Sequence, residues 1–163
     1  MPEENSLREL TVTDIPAVIE LIELAMNADE AAWAEQSIRL HFELEKQGHS
    51  DGRDYFVWQN MEKITGIIGL HHYDWGPKEN VWLSWFAVHP QMQRQGIGRN
   101  MFTTMLQLAK KRNYKKLFVE PYSGSVFDQA REFYASCGMK QVGQIQDYLP
   151  NHADMIVFKI DLE

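Results

Sequence analysis

The stretch from Val81 to Arg112 constrains this chain more than any other. An apolar run, Trp82-Leu83-Ser84-Trp85-Phe86-Ala87-Val88, leads through His89-Pro90 into Gln91-Met92-Gln93-Arg94-Gln95-Gly96-Ile97-Gly98-Arg99, and an amphipathic segment comes next. The spacing predicts a strand, a glycine-containing turn and a helix. The first N–H groups of a helix have no partner inside it, and the helix dipole places partial positive charge at that end. An anion is the natural ligand there. Gly96 and Gly98 let an anion approach the main chain and tolerate the backbone angles of a tight nest. Pro90 ends the strand because it offers no ladder donor. Met101, Phe102, Met105, Leu106, Leu108 and Ala109 recur at helical spacing, and Lys110, Lys111 and Arg112 complement the negative end of the helix.

Two phosphate motifs are excluded. A P-loop requires Lys and then Ser or Thr after its last glycine, whereas Arg99 and Asn100 follow Gly98. The dinucleotide fingerprint requires a third glycine that is missing here. What remains, Gln93-x-x-Gly96-x-Gly98 after Val88-x-Pro90, resembles the acyl-coenzyme A pyrophosphate loop of the GNAT family of N-acetyltransferases, written Q/R-x-x-G-x-G/A. Near the C-terminus, Ala130-Arg131-Glu132-Phe133-Tyr134-Ala135-Ser136-Cys137-Gly138-Met139 is similar to that family's second signature, A-x-x-F-Y-x-x-x-G-F, with Met139 in place of the usual Phe. The resemblance runs from the first strand at Leu7 to the last near Ile160. It implies an α/β fold: a mixed, mostly antiparallel sheet of about seven strands, about four helices, and a splayed pair of central strands.

Length and composition agree with one such domain spanning residues 1–163, long enough to bury a sizeable core. Apolar residues make up 44% and charged residues 24%, so disorder is not indicated. No run is long enough to cross a bilayer, and the acidic start Met1-Pro2-Glu3-Glu4-Asn5 is unlike a signal peptide, so a cytoplasmic protein with no membrane partner is expected. One cysteine, Cys137, excludes an internal disulfide and a cysteine-built metal centre, and no metal is expected. A net charge of −7 argues against nucleic acid as a partner. Against that acidic background residues 81–119 hold seven Lys or Arg and no Asp or Glu, a local field suited to an anionic ligand.

In chain order, Leu7–Val12 reads as a first strand, and Thr13 or Asp14 caps a helix that tolerates Pro16 in its first turn. A second helix is expected from Asp29 to about Lys46, ending at Gly48 and carrying Glu30 among many acids. Tyr55–Trp58 and Ile64–Tyr73 form a hairpin with its turn near Asn60–Lys63. Lys115–Glu120 is a short strand, Val126–Ser136 a helix, and Lys140–Asp147 and Asp154–Ile160 the last two strands.

The resemblance implies acetyl-coenzyme A as cosubstrate. The strand before the turn would part from Lys115–Glu120 and open a slot. Backbone groups of Phe86, Ala87 and Val88 would bind pantetheine there, with the Val88 N–H on the thioester carbonyl, and the amides of Gln93, Arg94, Gln95, Gly96, Ile97, Gly98 and Arg99 would hold the pyrophosphate. Tyr134 would donate a proton to the departing sulfur. For the base that frees the acceptor amine, Glu120 is the first candidate and His72 and His71 the alternatives; Ser84 is a further polar candidate. Tyr148 and His72 are expected at the acceptor, with Asp147 and Asp154 as further contacts; Trp75, Trp82 and Trp85 are other aromatic candidates. Cys137 lacks a legible activating partner, which leaves it in packing. The acceptor is expected to be the primary amine of a small molecule, an amino acid or a polyamine-like compound, attacked directly in a ternary complex. A peptide N-terminus is the alternative acceptor, and a noncatalytic acyl-coenzyme A sensor the alternative class. A homodimer follows from the resemblance alone.

Overall fold

Alternating apolar residues in the first half of the chain build an antiparallel meander. A computed structural model describes residues 5–163; residues 1–4, the acidic start, lie outside the described residues. Strand β1 (Asn5–Glu9) pairs with β2 (Arg53–Asn60), β2 with β3 (Lys63–His71), and β3 with β4 (Asn80–Val88), all antiparallel. β5 (Lys116–Val119) joins β4 in parallel, β7 (Met155–Asp161) lies antiparallel to β5, and β6 (Lys140–Ile145) closes the edge. The result is one seven-stranded mixed sheet in the order β1-β2-β3-β4-β5-β7-β6.

Four α-helices cover the sheet. α1 (Ile15–Ala25) and α2 (Ala28–Lys46) pack against Tyr55, Val57, Ile67 and Ala87. α3 (Ile97–Lys111) and the end of α4 (Asp128–Ser136) pack against Ile68, Leu70, Val81, Leu83 and Leu117. The helical spacing read around Met101 is the buried face of α3: Met101, Phe102, Met105 and Ala109 are all within the core. Each large side chain so buried contributes roughly 1.5–3 kcal/mol relative to exposure. No helix among the described residues is long and apolar enough to cross a membrane.

The first strand ends earlier than its apolar pattern suggests, at Glu9 rather than Val12. Asp14 is the cause. Its carboxylate accepts from the Thr11 N–H at 2.8 Å and from Arg8 at 2.7 and 2.9 Å, and this closes a 3-10 turn, Val12–Asp14, before α1. Thr11 is the cap residue of that turn, and Asp14, one of the two residues expected to cap the helix, is the N-cap residue of α1. α2 is capped by Asn27, whose side chain accepts from the Glu30 N–H at 2.8 Å.

Two irregularities in β4 open a gap in the middle of the sheet. The β4–β5 pairing covers only Asn80–Trp82 against Lys116–Phe118, so from Leu83 to Val88 the β5 side of β4 has no strand beside it. The β3–β4 register also slips between Ile67 and Gly69, and Trp85 opposite adopts a φ of +46°, a rare value for a large side chain. Its indole N–H donates to Ser37 Oγ on α2 at 2.8 Å, which ties the bulge to the helix above it.

Candidate active site

The turn after β4 is a nest of main-chain donors. Arg94 has φ +63° and Gly96 φ +82°, so the chain reverses hand twice before α3 begins at Ile97. Nothing lies within 4 Å of where a Cβ on Gly96 would sit, which leaves the helix N-terminus open to an incoming group. Gln93 reaches back, its Nε2 donating to the Val88 carbonyl oxygen at 3.0 Å, and so binds the loop to the end of the strand.

The ladder decides which way Val88 faces. His89 N–H donates to Thr65 O at 2.8 Å, so Thr65 and His89 form a hydrogen-bonded pair and the next pair, Gly66 and Val88, does not. Val88 therefore turns its N–H and carbonyl away from β3, into the gap left by β5. By the same alternation, one residue beyond the Ile67–Ala87 pair, Phe86 does so too.

This gap opens into a cavity of about 580 Å³ between β4, the loop and α4. Phe86, Ala87, Val88, Gln93, Arg94, Gly96, Gly98 and Arg99 line it, with Phe133 and Tyr134 of α4 opposite. The side chains of two expected cofactor residues lie elsewhere. Gln95 is exposed, with its amide on Gln91 O at 3.4 Å, and the Ile97 side chain is buried in the α3 core. Arg99 spans the cavity: it donates to Ser136 Oγ at 3.2 Å and lies 5.9 Å from the Phe133 ring centre. The open glycine turn, the unpaired strand edge and the arginines fit a phosphorylated, amide-bearing chain such as that of coenzyme A.

A second cavity, of about 230 Å³, adjoins the first, and Met26, Phe86, Phe127, Ala130 and Tyr134 line both. Tyr134 thus stands at their junction. Register builds the floor: Arg53 pairs with His71, His71 with Trp82, and Trp82 with Phe118, so side chains in this row share a face of the sheet, and Glu120 follows two residues on. Gly69 is needed beside this row, because a Cβ there would lie 2.9 Å from the Tyr55 ring and from the carbonyl oxygens of Asp54 and Ser84. Glu30 enters from α2, and Tyr122 from the loop after β5. Arg131 of α4 holds that loop through the carbonyl oxygens of Tyr122 and Gly124.

Burial sets the protonation of these groups. It raises Glu120 to about 7, and Glu120 Oε2 is buried with no hydrogen-bond partner among the described residues. Burial and then the charge of Asp29 raise Glu30 to about 7 as well. Burial, followed by Glu120, pushes the Tyr134 hydroxyl well above the usual phenol range, so it keeps its proton at neutral pH. Burial and then Arg53 depress His71 to about 4, leaving it neutral. The site therefore holds a protected phenol donor beside a carboxyl poised to exchange a proton near neutrality.

Other expected residues lie elsewhere. It is His71, not His72, that lines the second cavity; His72 Nδ1 is 2.8 Å from Asn80 O and its ring lies against Tyr114, away from both cavities. Tyr148 is half exposed and stacks on Tyr122 at 6.1 Å, one ring outside the cavity lining. Asp154 is occupied as a turn bracket, accepting from the Asp147 N–H at 2.9 Å and from Gln144 at 2.6 Å. Trp82, Ser84 and Trp85 line the second cavity, whereas Trp75 is exposed beside Tyr73. Cys137 packs against the core, and burial raises its thiol. Arg53 is a site residue that sequence reasoning misses; its only signal there is a cation at the head of a strand whose register cannot be read. Among the described residues no group of three or more His, Cys, Asp or Glu could hold a metal.

The model of the acetyltransferase (GNAT) family matches residues 18–139. Human N-acetyltransferase 8 is 28% identical over 96 residues, a match spanning 57% of this chain and 41% of that protein. A GNAT-family protein from Desulfovibrio desulfuricans superposes with a TM-score of 0.84 at 18% identity, covering 98% of this chain and 99% of that one. The ribosomal-protein-S18-alanine N-acetyltransferase from Escherichia coli gives 0.76 at 20% identity, covering 98% and 94%. At these identities the structural likeness is one of fold.

Proposed function

The chain belongs to the acetyltransferase (GNAT) family, and on that premise we propose that it moves an acetyl group from acetyl-coenzyme A to the primary amine of a small molecule, by direct attack in a ternary complex. One observation carries this reading. An unpaired strand edge ending in an anion nest meets, at Tyr134, a separate carboxyl-lined cavity.

When bound, the thioester would supply the acetyl group and a thiolate leaving group. The nest from Gln93 to Arg99 would hold the pyrophosphate, with Arg94 and Arg99 adding charge. The Val88 N–H would donate to the thioester carbonyl oxygen, where negative charge grows during attack, and a fixed donor there favours the transition state over the ground state. Glu120 would take the proton from the acceptor ammonium. A carboxyl near 7 is matched to that task, because it is substantially ionised at neutral pH and still a competent base. Tyr134 would return a proton to the leaving sulfur. Two sites filled together suit direct transfer, whereas a covalent relay would need an activated nucleophile that Cys137 is not.

The size of the second cavity, about 230 Å³, supports a small acceptor. Mass spectrometry of products formed from acetyl-coenzyme A with a pool of small amines, and separately with a pool of short peptides, tests the reading. Acetylated small amines are the expected result. Acetylation confined to peptide N-termini would replace the acceptor class, and acetyl-coenzyme A binding without any product would make the chain a sensor.

A further inference from the structure

We infer that the acceptor is an aminocarboxylate of amino-acid size, with its amine at Glu120 and its carboxylate gripped by Arg53 at the far end of the smaller cavity. This rests on the acetyltransferase reading above and narrows it.

Arg53 opens β2, and its pairing with His71, and of His71 with Trp82, brings it onto the cavity floor. Its guanidinium makes one long contact among the described residues, Nη1 to Asp51 Oδ2 at 3.4 Å. Asp51 is already engaged by His41 Nδ1 at 2.8 Å and by the Arg53 main-chain N–H at 3.0 Å. A guanidinium presents five N–H donors in a rigid planar fork and does not lose its charge, so most of the fork is left for a ligand. A carboxylate matches that fork with two parallel bonds.

The cavity is polarised along its length. Arg53 lies on β2 and Glu120 just past β5, at opposite ends of the row Arg53–His71–Trp82–Phe118 that crosses the sheet, and Tyr134 stands at the junction with the slot. Glu30 adds a second carboxyl to the lining, and His71, neutral near pH 7, adds no competing cation. An ammonium suits one end and a carboxylate the other. A polyamine would set a second cation against Arg53, and a peptide N-terminus would offer it a neutral amide in place of a carboxylate.

The test compares α-amino acids with their decarboxylated amines as acceptors, using acetyl-coenzyme A and initial rates. Wild type is expected to prefer the amino acid by about 100-fold in kcat/KM, mostly through KM, because losing one partner of a desolvated charge pair weakens binding on this scale. Arg53→Gln is expected to bring the ratio close to one, and Arg53→Lys to restore part of it. Thermal shift of the wild-type protein by each compound gives an independent reading that no variant can confound, with amino acids alone expected to raise Tm. Equal turnover of the paired acceptors, or a preference that survives Arg53→Gln, overturns the proposal and leaves the acetyltransferase reading standing. Absence of transfer to every acceptor, with no calorimetric binding of acetyl-coenzyme A, overturns both.

Discussion

Gln93 Nε2 donates to the carbonyl oxygen of Val88 at 3.0 Å, and this bond joins the anion nest to the last residue of β4, at the end of its unpaired edge. The two halves of the cofactor slot are thereby held in one geometry. Gln93→Ala removes a partly buried hydrogen bond of about 0.5–1.5 kcal/mol. The expected outcome is a rise of roughly 3- to 10-fold in the Kd for acetyl-coenzyme A by calorimetry, with kcat at saturation little changed.

Gly96 has φ +82° with open space around its missing Cβ, so replacement acts through the backbone and through the ligand rather than through a clash. Gly96→Ala should cost about 1 kcal/mol of stability, or roughly 2–4 °C in Tm for a chain of this length. Its loss of acetyl-coenzyme A affinity should exceed that of Gln93→Ala, since the added methyl would occupy the approach of the anion. Paired melting and calorimetric measurements on the two variants check both statements.

Tyr134→Phe keeps the ring that packs with Phe86, Phe102 and Phe158 and removes only the hydroxyl. A general acid contributes roughly 10²–10⁴ in rate. The expected result is a fall in kcat of that order with Kd for acetyl-coenzyme A unchanged. An unchanged kcat would remove Tyr134 from proton transfer.

Glu120 near 7 has two consequences for pH dependence. As the proposed base it must be ionised, so kcat/KM should rise with pH through about 7 and then level, and Glu120→Gln should lose that limb along with about 100-fold in rate. Stability runs the other way. The folded-state value lies above the ordinary 4.5, so the folded protein holds this proton more tightly, a contribution fully present below 4.5 and lost as pH rises through about 7. Glu120→Gln should therefore melt higher relative to wild type at pH 8 than at pH 4, by a few degrees. Denaturation scans at the two pH values measure the difference.

Sequence and structure diverge where register decides. The hairpin, the strand-turn-helix and the signature around Tyr134 all rest on local spacing and form where it puts them, except that β3 stops at His71, short of Tyr73, and α4 begins at Asp128 after a 3-10 turn rather than at Val126. His71 and His72 are adjacent in the chain and point to opposite faces, and only the pairing of His71 with Arg53 and Trp82 tells which one reaches the cavity. The bulge at Trp85 carries neither Gly nor Pro to announce it. Glu30 is one acid among many on α2, and its burial follows from how the helix sits against the sheet. Glu120, by contrast, stands out as a candidate in the sequence because it directly follows the strand that borders the slot.

Direct transfer between two filled sites is tested best by the initial rate of coenzyme A release, measured while acetyl-coenzyme A and a pooled set of amino acids and small amines are varied independently. Release should require an acceptor and give intersecting double-reciprocal lines, as two sites filled together demand. Parallel lines, or release indifferent to the acceptor, would contradict direct transfer.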